Sequence, residues 1–435
     1  MSDTIFALAS GAGLCAVAVI RVSGPSSDRA LLALCGDLPA ARRASLRKIY
    51  HPRSRSLLDQ CLVLRFAGPQ SFTGEDGFEL HVHGGRAVVA GALEALGLCE
   101  GLRLAEPGEF ARRAFLNGKM DLTEAEGLAD LIEASTSAQR DQALALAGGR
   151  LRDQAQAWRS AILGLQAQAE AAIDFSDEGD VPANVQDGFV LAVEDLSSSM
   201  QAALADGRRG EILRNGFTVV LAGPPNAGKS SLMNALARRD VAIVSSTPGT
   251  TRDLIEVSLD LDGMPVILVD TAGLRDAGDD VEQEGIRRTR VRAAAADLVL
   301  WLVDPDQDED AVALPDAPMV RIGTKSDLRQ IESAPKQALC LSARTGEGVH
   351  ALLELIARRA REALRPEEPP LMSHERHQIA IREACAALGR IQPLMPLEVA
   401  AEELRMAARA LASIIGLVGP DDVLGEIFSR FCIGK

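Results

Sequence analysis

The sequence lacks any run approaching the roughly 18 uninterrupted apolar residues that a membrane-spanning helix needs. Its opening, Met1 to Ser10, also lacks the basic start of a secretion signal. None of its seven cysteines (15, 35, 61, 99, 340, 385 and 432) forms a CxxC pair, and their odd number argues against a fully paired disulfide framework. No internal repeat is evident. Together these absences make a cytoplasmic protein with reduced thiols and no membrane span the expectation. Basic charge is in deficit as well: 46 Lys and Arg stand against 61 Asp and Glu, a net charge of −15 that disfavours holding nucleic acid on a general basic surface. The deficit is uneven, with 14 basic and 11 acidic residues in 1–120 but 6 and 16 in 121–210. A nucleic-acid substrate would therefore need a local patch or a partner protein. His81 and His83 share a strand face without supplying further zinc ligands, and read best as ordinary strand residues.

What is present is ordinary globular chemistry. An apolar share of 47% with 25% charged residues excludes wholesale disorder. At 435 residues the chain is long enough for about three domains. Over 1–120, short apolar runs alternate with turn clusters such as Ser23-Gly24-Pro25 and Thr73-Gly74-Glu75-Asp76-Gly77, with a helix-like stretch from Ala87 to Leu98, predicting an α+β domain. From Asp121-Leu-Thr-Glu124, which resembles a capping box, the texture becomes helical to about residue 210, interrupted at Gly148-Gly149 and by the acidic stretch Asp174 to Asp180. Gly207-Arg-Arg-Gly210 is expected to break that texture. Strands and helices alternate over 211–364, and helices alone return over 365–435. The last stretch is marginal as an independent core, so it is expected to pack with the helices of 121–210 and leave 211–364 as an insertion. The fold class is multidomain α/β: an α+β domain, a discontinuous helical domain and an inserted P-loop domain with a mostly parallel sheet.

Gly223-Pro224-Pro225-Asn226-Ala227-Gly228-Lys229-Ser230 matches G-x-x-x-x-G-K-[ST] between the apolar strand Phe217 to Ala222 and a helix beginning at Ser231. Backbone N–H groups of such a loop meet phosphate oxygens, Lys229 reaches the β- and γ-phosphates and Ser230 ligates Mg2+. Asp270-Thr271-Ala272-Gly273 follows another apolar strand, placing Asp270 where it can hold Mg2+ through water. Gly249-Thr250-Thr251-Arg-Asp253 offers Thr251 to the same metal. Asp262-Gly263 is a hairpin turn. In Thr324-Lys325-Ser326-Asp327 the last carboxylate can accept both guanine donors, a pair adenine does not present, while Lys325 lies along the base and Ser342-Ala343 offer backbone N–H. Leu274 stands where a Ras-like switch carries a water-orienting glutamine, so another group must place the water. Asn226 and the segment Ser245-Ser246-Thr247-Pro248-Gly249-Thr250 carry oxygens that can hold a monovalent cation near the phosphates; for Asn226 the plainer role is a turn residue.

Over its whole length the sequence resembles the MnmE (TrmE) family of tRNA-modification GTPases. The resemblance is carried by these motifs together with Ala18-Val-Ile-Arg-Val-Ser-Gly-Pro25, Phe72-Thr-Gly-Glu-Asp-Gly-Phe-Glu-Leu80, Pro107 to Lys119 and the terminal Phe-Cys-Ile-Gly-Lys435. It departs in having Thr324 where asparagine is commoner and Ser245 where threonine is common. The resemblance implies K+ coordination by Asn226, Ser245, Thr247 and Thr250, water orientation through Glu282, and a K+ ion in the charge-compensating part of an arginine finger. It implies a tetrahydrofolate derivative bound by Arg21, Glu79, Lys119 and Lys435, and a role for Cys432 in the modification. It further implies a homodimer that joins an FAD-dependent MnmG partner in a heterotetramer. With GTP hydrolysis driving the cycle, that complex places an aminomethyl or carboxymethylaminomethyl group on C5 of the wobble uridine of tRNA. The domains implied are 1–120 for folate binding and dimerisation, 121–210 and 365–435 for the helical domain, and 211–364 for the GTPase. A regulatory ribosome-assembly GTPase is the alternative, although the appendages lack its basic RNA-binding character; an aminomethyl transferase with a vestigial GTPase domain fails on the intact nucleotide motifs.

Overall fold

The computed structural model describes residues 3–11, 13–174, 183–224, 226–239, 241–243, 256–270, 295–303, 318–328, 339–365, 369–393, 395–418, 421–429, 431 and 433–434. The chain divides into two compact units, Met1–Ala129 with Leu411–Lys435, and Asp130–Ala410.

The first unit is built on a sheet of six strands: β1 (Thr4–Leu8), β2 (Cys15–Ser23), β3 (Ser45–Tyr50), β4 (Leu57–Phe66), β5 (Gly77–Gly84) and β6 (Leu102–Leu104). Their order is β3-β4-β5-β2-β1-β6, antiparallel except for β1 with β6. Alternation along β2 and β5 sends Ala18, Ile20, Val22, Phe78, Leu80 and Val82 into one core with helices Ser27–Cys35 and Arg86–Gly97. The opposite face meets helix Glu109–Leu116, whose Phe110 packs with Ile5 and Ala7. Burial first, with the Asp59 charge behind it, pushes the Cys61 thiol up to about 12, and burial followed by the Asp37 charge pushes Cys35 up to about 11, so neither ionises near neutral pH.

The capping box at Asp121 is present in full. Its Oδ1 accepts from the Thr123 and Glu124 amides at 2.7 and 3.0 Å, and Glu124 Oε2 accepts from the Asp121 amide at 2.8 Å. The helix it starts, Leu122–Glu133, contributes Leu122 and Ala125 to a cluster closed by Phe428 and Phe431. Phe428 belongs to helix Asp421–Ser429, and its carbonyl lies against Gly108. Gly108 has φ +67°, and a Cβ there would sit 2.2 Å from that carbonyl oxygen. Gly108→Ala is therefore expected to cost about 2–4 kcal/mol from overpacking and left-handed strain combined. Limited proteolysis should then cut within residues 411–429; protease resistance equal to wild type would show that the close approach is not required.

In the second unit the sheet comprises β7 (Phe217–Ala222), β8 (Glu256–Leu261), β9 (Met264–Asp270), β10 (Leu298–Val303), β11 (Met319–Gly323) and β12 (Leu339–Cys340). Its order is β12-β11-β10-β7-β9-β8, parallel except for the β8–β9 hairpin. The continuous apolar run of β7 follows from burial on both faces: Val219 and Leu221 enter one core, Val220 and Ala222 the other. Asp262 and Gly263, with φ of 54° and 83°, make the expected hairpin turn.

The helical reading needs two corrections. Residues 121–148 form two helices, the second being Ser137–Ala147, restarted by a capping box of Thr136 with Gln139. Gly207-Arg-Arg-Gly210 starts a helix, Gly207–Asn215, instead of ending the helical texture. A Cβ on Gly210 would lie 1.7 Å from the Met372 carbonyl oxygen, so this glycine serves close packing, not termination. Helix Glu375–Leu388 packs on helix Ala183–Ala205.

A candidate nucleotide site and a charged cleft

The phosphate loop leaves β7 through Gly223, where φ is +143° and a Cβ would sit 2.3 Å from the Leu302 carbonyl oxygen, so only glycine fits. Gly228, at φ +90°, caps helix Lys229–Ala237, whose N-terminal amides and dipole favour an anion. Lys229 Nζ donates to the Gly223 and Pro224 carbonyls at 2.7 and 2.8 Å, drawing the ammonium over the loop it belongs to. Asn226 is exposed with φ +65°, a left-handed position asparagine tolerates better than most residues. Ala227 is buried below the loop, and Ser231 follows Ser230 in the first helical turn.

Asp270 ends β9, level with Leu221 of β7, and is completely buried. Ser230 Oγ donates to its Oδ2 at 3.2 Å. The two oxygen donors that the sequence assigns to one magnesium ion are thus together, at the carboxyl end of a parallel sheet. An oxygen-only pair with a buried carboxylate suits a hard divalent cation.

The base loop lies beyond β11. Thr324 is buried, and its hydroxyl donates to the Ala227 carbonyl at 2.8 Å, with the Val303 carbonyl 3.2 Å away. This bond ties the base loop to the phosphate loop, a task open to any short side chain with a donor, so threonine serves where asparagine is commoner. Lys325 has φ +58°, turning the chain into the short helical turn Ser326–Leu328. Asp327 Oδ1 accepts from Ser342 Oγ at 2.7 Å, and the exposed Arg344 guanidinium lies 3.9 Å from Oδ2. The Ser342 amide donates to the Glu347 carbonyl at 2.9 Å. Ser342 therefore faces the base loop through its hydroxyl, a role its sequence position did not reveal, and Ala343 is the next amide along.

In the first unit, Arg21 and Glu79 are cross-strand partners on β2 and β5, and Arg21 Nε donates to Glu79 Oε1 at 3.0 Å. The guanidinium also lies 5.0 Å from the Phe72 ring centre and 5.7 Å from that of Phe110. Arg21, Phe72 and Glu79 border a cleft of about 350 Å3 that Ser23, Ser71 and Thr73 also line. A cation and a carboxylate that the family resemblance assigns to one ligand thus sit side by side. Arg21 orients Glu79, and His81 Nε2, 3.3 Å from Glu79 Oε2, meets the same carboxylate. Lys119 is exposed with its stem beside Gly74, next to Thr73 of the cleft.

The terminal motif is held on either side of Cys432. Phe431 is buried, Ile433 bridges to Pro107, and Gly434, at φ +97°, lies against the Leu8 carbonyl. Cys432, Lys435, Ser245, Ser246, Thr247, Pro248, Gly249, Thr250, Thr251, Thr271, Ala272, Gly273, Leu274 and Glu282 lie outside the described residues.

A P-loop at the carboxyl end of a mostly parallel sheet, a buried carboxylate beside its serine and a Thr-Lys-Ser-Asp base loop define a P-loop GTPase. Residues 4–119 match the model of the GTP-binding protein TrmE N-terminus, and residues 122–432 that of the MnmE helical domain. The chain is 54% identical over 442 residues to the tRNA modification GTPase MnmE of Methylobacterium sp. (strain 4-46), with 100% of both chains covered. It is 52% identical to the tRNA modification GTPase MnmE of Methylorubrum populi, covering 100% of this chain and 98% of that one. Among solved structures, the G domain of the T. maritima FeoB iron transporter is 27% identical, with a TM-score of 0.26, over 33% of this chain and 98% of that chain. The chain belongs to the MnmE family of tRNA modification GTPases. Among the described residues no helix is long and apolar enough to cross a membrane.

Proposed function

We propose that this chain hydrolyses GTP in a K+-stimulated cycle that serves modification of the tRNA wobble uridine. In this reading it acts as a homodimer with an FAD-dependent MnmG partner, and a tetrahydrofolate one-carbon unit supplies the aminomethyl or carboxymethylaminomethyl group on C5. The observation that carries the reading is the presence, in one chain of this family, of a nucleotide site and a separate cleft built on Arg21 and Glu79. The proposed domains are 1–120 for folate, 121–210 with 365–435 for the helical domain, and 211–364 for GTP.

Ser230, Thr251 and Asp270 would hold Mg2+, which when bound offsets the charge of the β- and γ-phosphates. Lys229 and the amides of Asn226 to Ser231 bind the phosphates, and Asp327 reads the base. Asn226, Ser245, Thr247 and Thr250 would hold K+. Because Leu274 has no hydrogen-bonding group, the attacking water is placed through Glu282. In the cleft Glu79 accepts from pterin N–H groups, with Arg21 fixing its orientation, Lys119 facing the anionic tail and Lys435 reaching the one-carbon end. Cys432 serves the modification step.

The test is a hydrolysis assay in KCl and NaCl at matched ionic strength, with Glu282→Ala alongside. Turnover should be faster in K+, and the variant slower by about 10²- to 10⁴-fold, the range for one lost proton-transfer or water-placing group, with GTP affinity retained. Equal rates in the two salts would remove the K+ site. Mass analysis of wobble uridine from cells lacking the chain tests the larger claim; a fully modified base there would return ribosome assembly to first place.

A further inference from the structure

Between Asp37 and Asp59 this acidic chain carries six Arg and Lys residues and no carboxylate side chain. They fall on and around β3, the edge strand of the first sheet. Three are engaged within the fold: Arg42 with the Gln70 carbonyl, Arg47 with Asp37 at 3.0 Å, and Arg55 with the Ala33 carbonyl at 3.2 Å. The other three, Arg43, Lys48 and Arg53, are exposed and have no ion-pair partner among the described residues. Arg43 precedes β3, Lys48 lies within it and Arg53 follows it in the turn where the Arg53 and Ser54 amides donate to His51 Nδ1.

A charged residue on an edge strand ordinarily guards it against pairing with another sheet, and Lys48 alone accounts for that role. Arg43 and Arg53 lie outside the strand and contribute nothing to it. A six-residue strand spans about 20 Å at roughly 3.3 Å per residue, and Arg43 and Arg53 flank its two ends with Lys48 between them. Arginine predominates in the stretch, and its planar fork matches phosphate oxygens bidentately. The rest of the chain repels a polyanion, which concentrates any phosphate contact on this row.

We propose that the β3 edge, through Arg43, Lys48 and Arg53, docks the phosphate backbone of the tRNA substrate. This inference rests on the tRNA-modifying reading above and adds to it the surface that touches the RNA. It also answers the charge deficit, since a local patch suffices where a general basic surface is lacking.

The experiment uses the full chain and a fluorescently labelled tRNA transcript, with anisotropy recorded between 50 and 200 mM KCl. A variant combining Arg43→Gln, Lys48→Gln and Arg53→Gln should bind at least about tenfold more weakly at low salt. The slope of log K against log salt should flatten by about 2–3, as expected for three lost phosphate contacts at roughly 0.7–0.9 each. GTP hydrolysis should be unchanged, and Arg358→Gln, on helix Val349–Leu364, should leave RNA affinity unaltered. An unchanged slope in the triple variant, or no binding by the wild-type chain, would overturn the proposal. Failure of the broader reading registers separately, as fully modified wobble uridine in cells lacking the chain.

Discussion

Asp327→Asn is expected to lower GTP affinity by about 10²- to 10⁴-fold while improving affinity for xanthosine triphosphate. The carboxylate is the one base-loop group able to accept from both guanine donors, and hydrogen bonds to a charged group contribute about 1.5–3 kcal/mol each. Losing the pair amounts to about 3–6 kcal/mol, at roughly 1.4 kcal/mol per tenfold. Ser342 Oγ holds Asp327 Oδ1 at 2.7 Å, and an asparagine carbonyl can keep that contact. The amide then turns N–H groups toward the base, where xanthine has an oxygen and guanine has an amine. Calorimetric titration with both nucleotides measures the exchange, and undiminished GTP affinity would refute the assignment.

The second large effect is expected at Asp130. Arg214 Nε donates to its Oδ1 at 2.7 Å, and His374 Nε2 lies 2.9 Å from Oδ2. Arg214 is in the last turn before β7, and His374 caps helix Glu375–Leu388, so one carboxylate clamps the chain on both sides of the nucleotide-binding sheet. Burial alone would raise the Asp130 pKa, but the His374 hydrogen bond and the His374 and Arg214 charges outweigh it and hold the carboxyl below its usual range. A depressed folded pKa means that this stabilisation is complete above the ordinary carboxylate range and is lost as pH falls through the folded value. Asp130→Ala removes the shared partner of the mostly buried Arg214 guanidinium and His374 ring and should cost about 3–5 kcal/mol. That corresponds to a fall on the order of 10 °C in the melting transition of the second unit. The variant should also lose the acid-side part of the pH dependence of melting. A melting profile that matches wild type at every pH would show that the clamp carries no stability.

Local features were the most legible. The phosphate loop, the Asp262-Gly263 turn and the capping box at Asp121 are each set by a few neighbouring residues, whose conformational demands can be read from residue type. The Arg21–Glu79 ion pair was not legible, because it depends on strand register: the two residues are 58 positions apart and meet only because β2 and β5 align. The same holds for Asp130 with Arg214 and His374. Gly207 and Gly210 misled because glycine marks both a chain break and a close contact, and only the neighbour, here Gln378 for Gly207 and Met372 for Gly210, distinguishes them. The anchoring of the tail was not legible either, because a chain end suggests freedom, whereas Ile433 and Gly434 find partners on Pro107 and Leu8.

The composition of the first unit from two distant stretches has a consequence for its making on the ribosome. Its sheet emerges early, but Phe428 and Phe431, which close the cluster over Ala111, Leu122 and Ala125, follow only after the whole of residues 130–410. At roughly 5–20 residues per second that wait lasts about 15–60 s. Throughout it the nascent chain must shield an apolar surface whose own cover has not been translated.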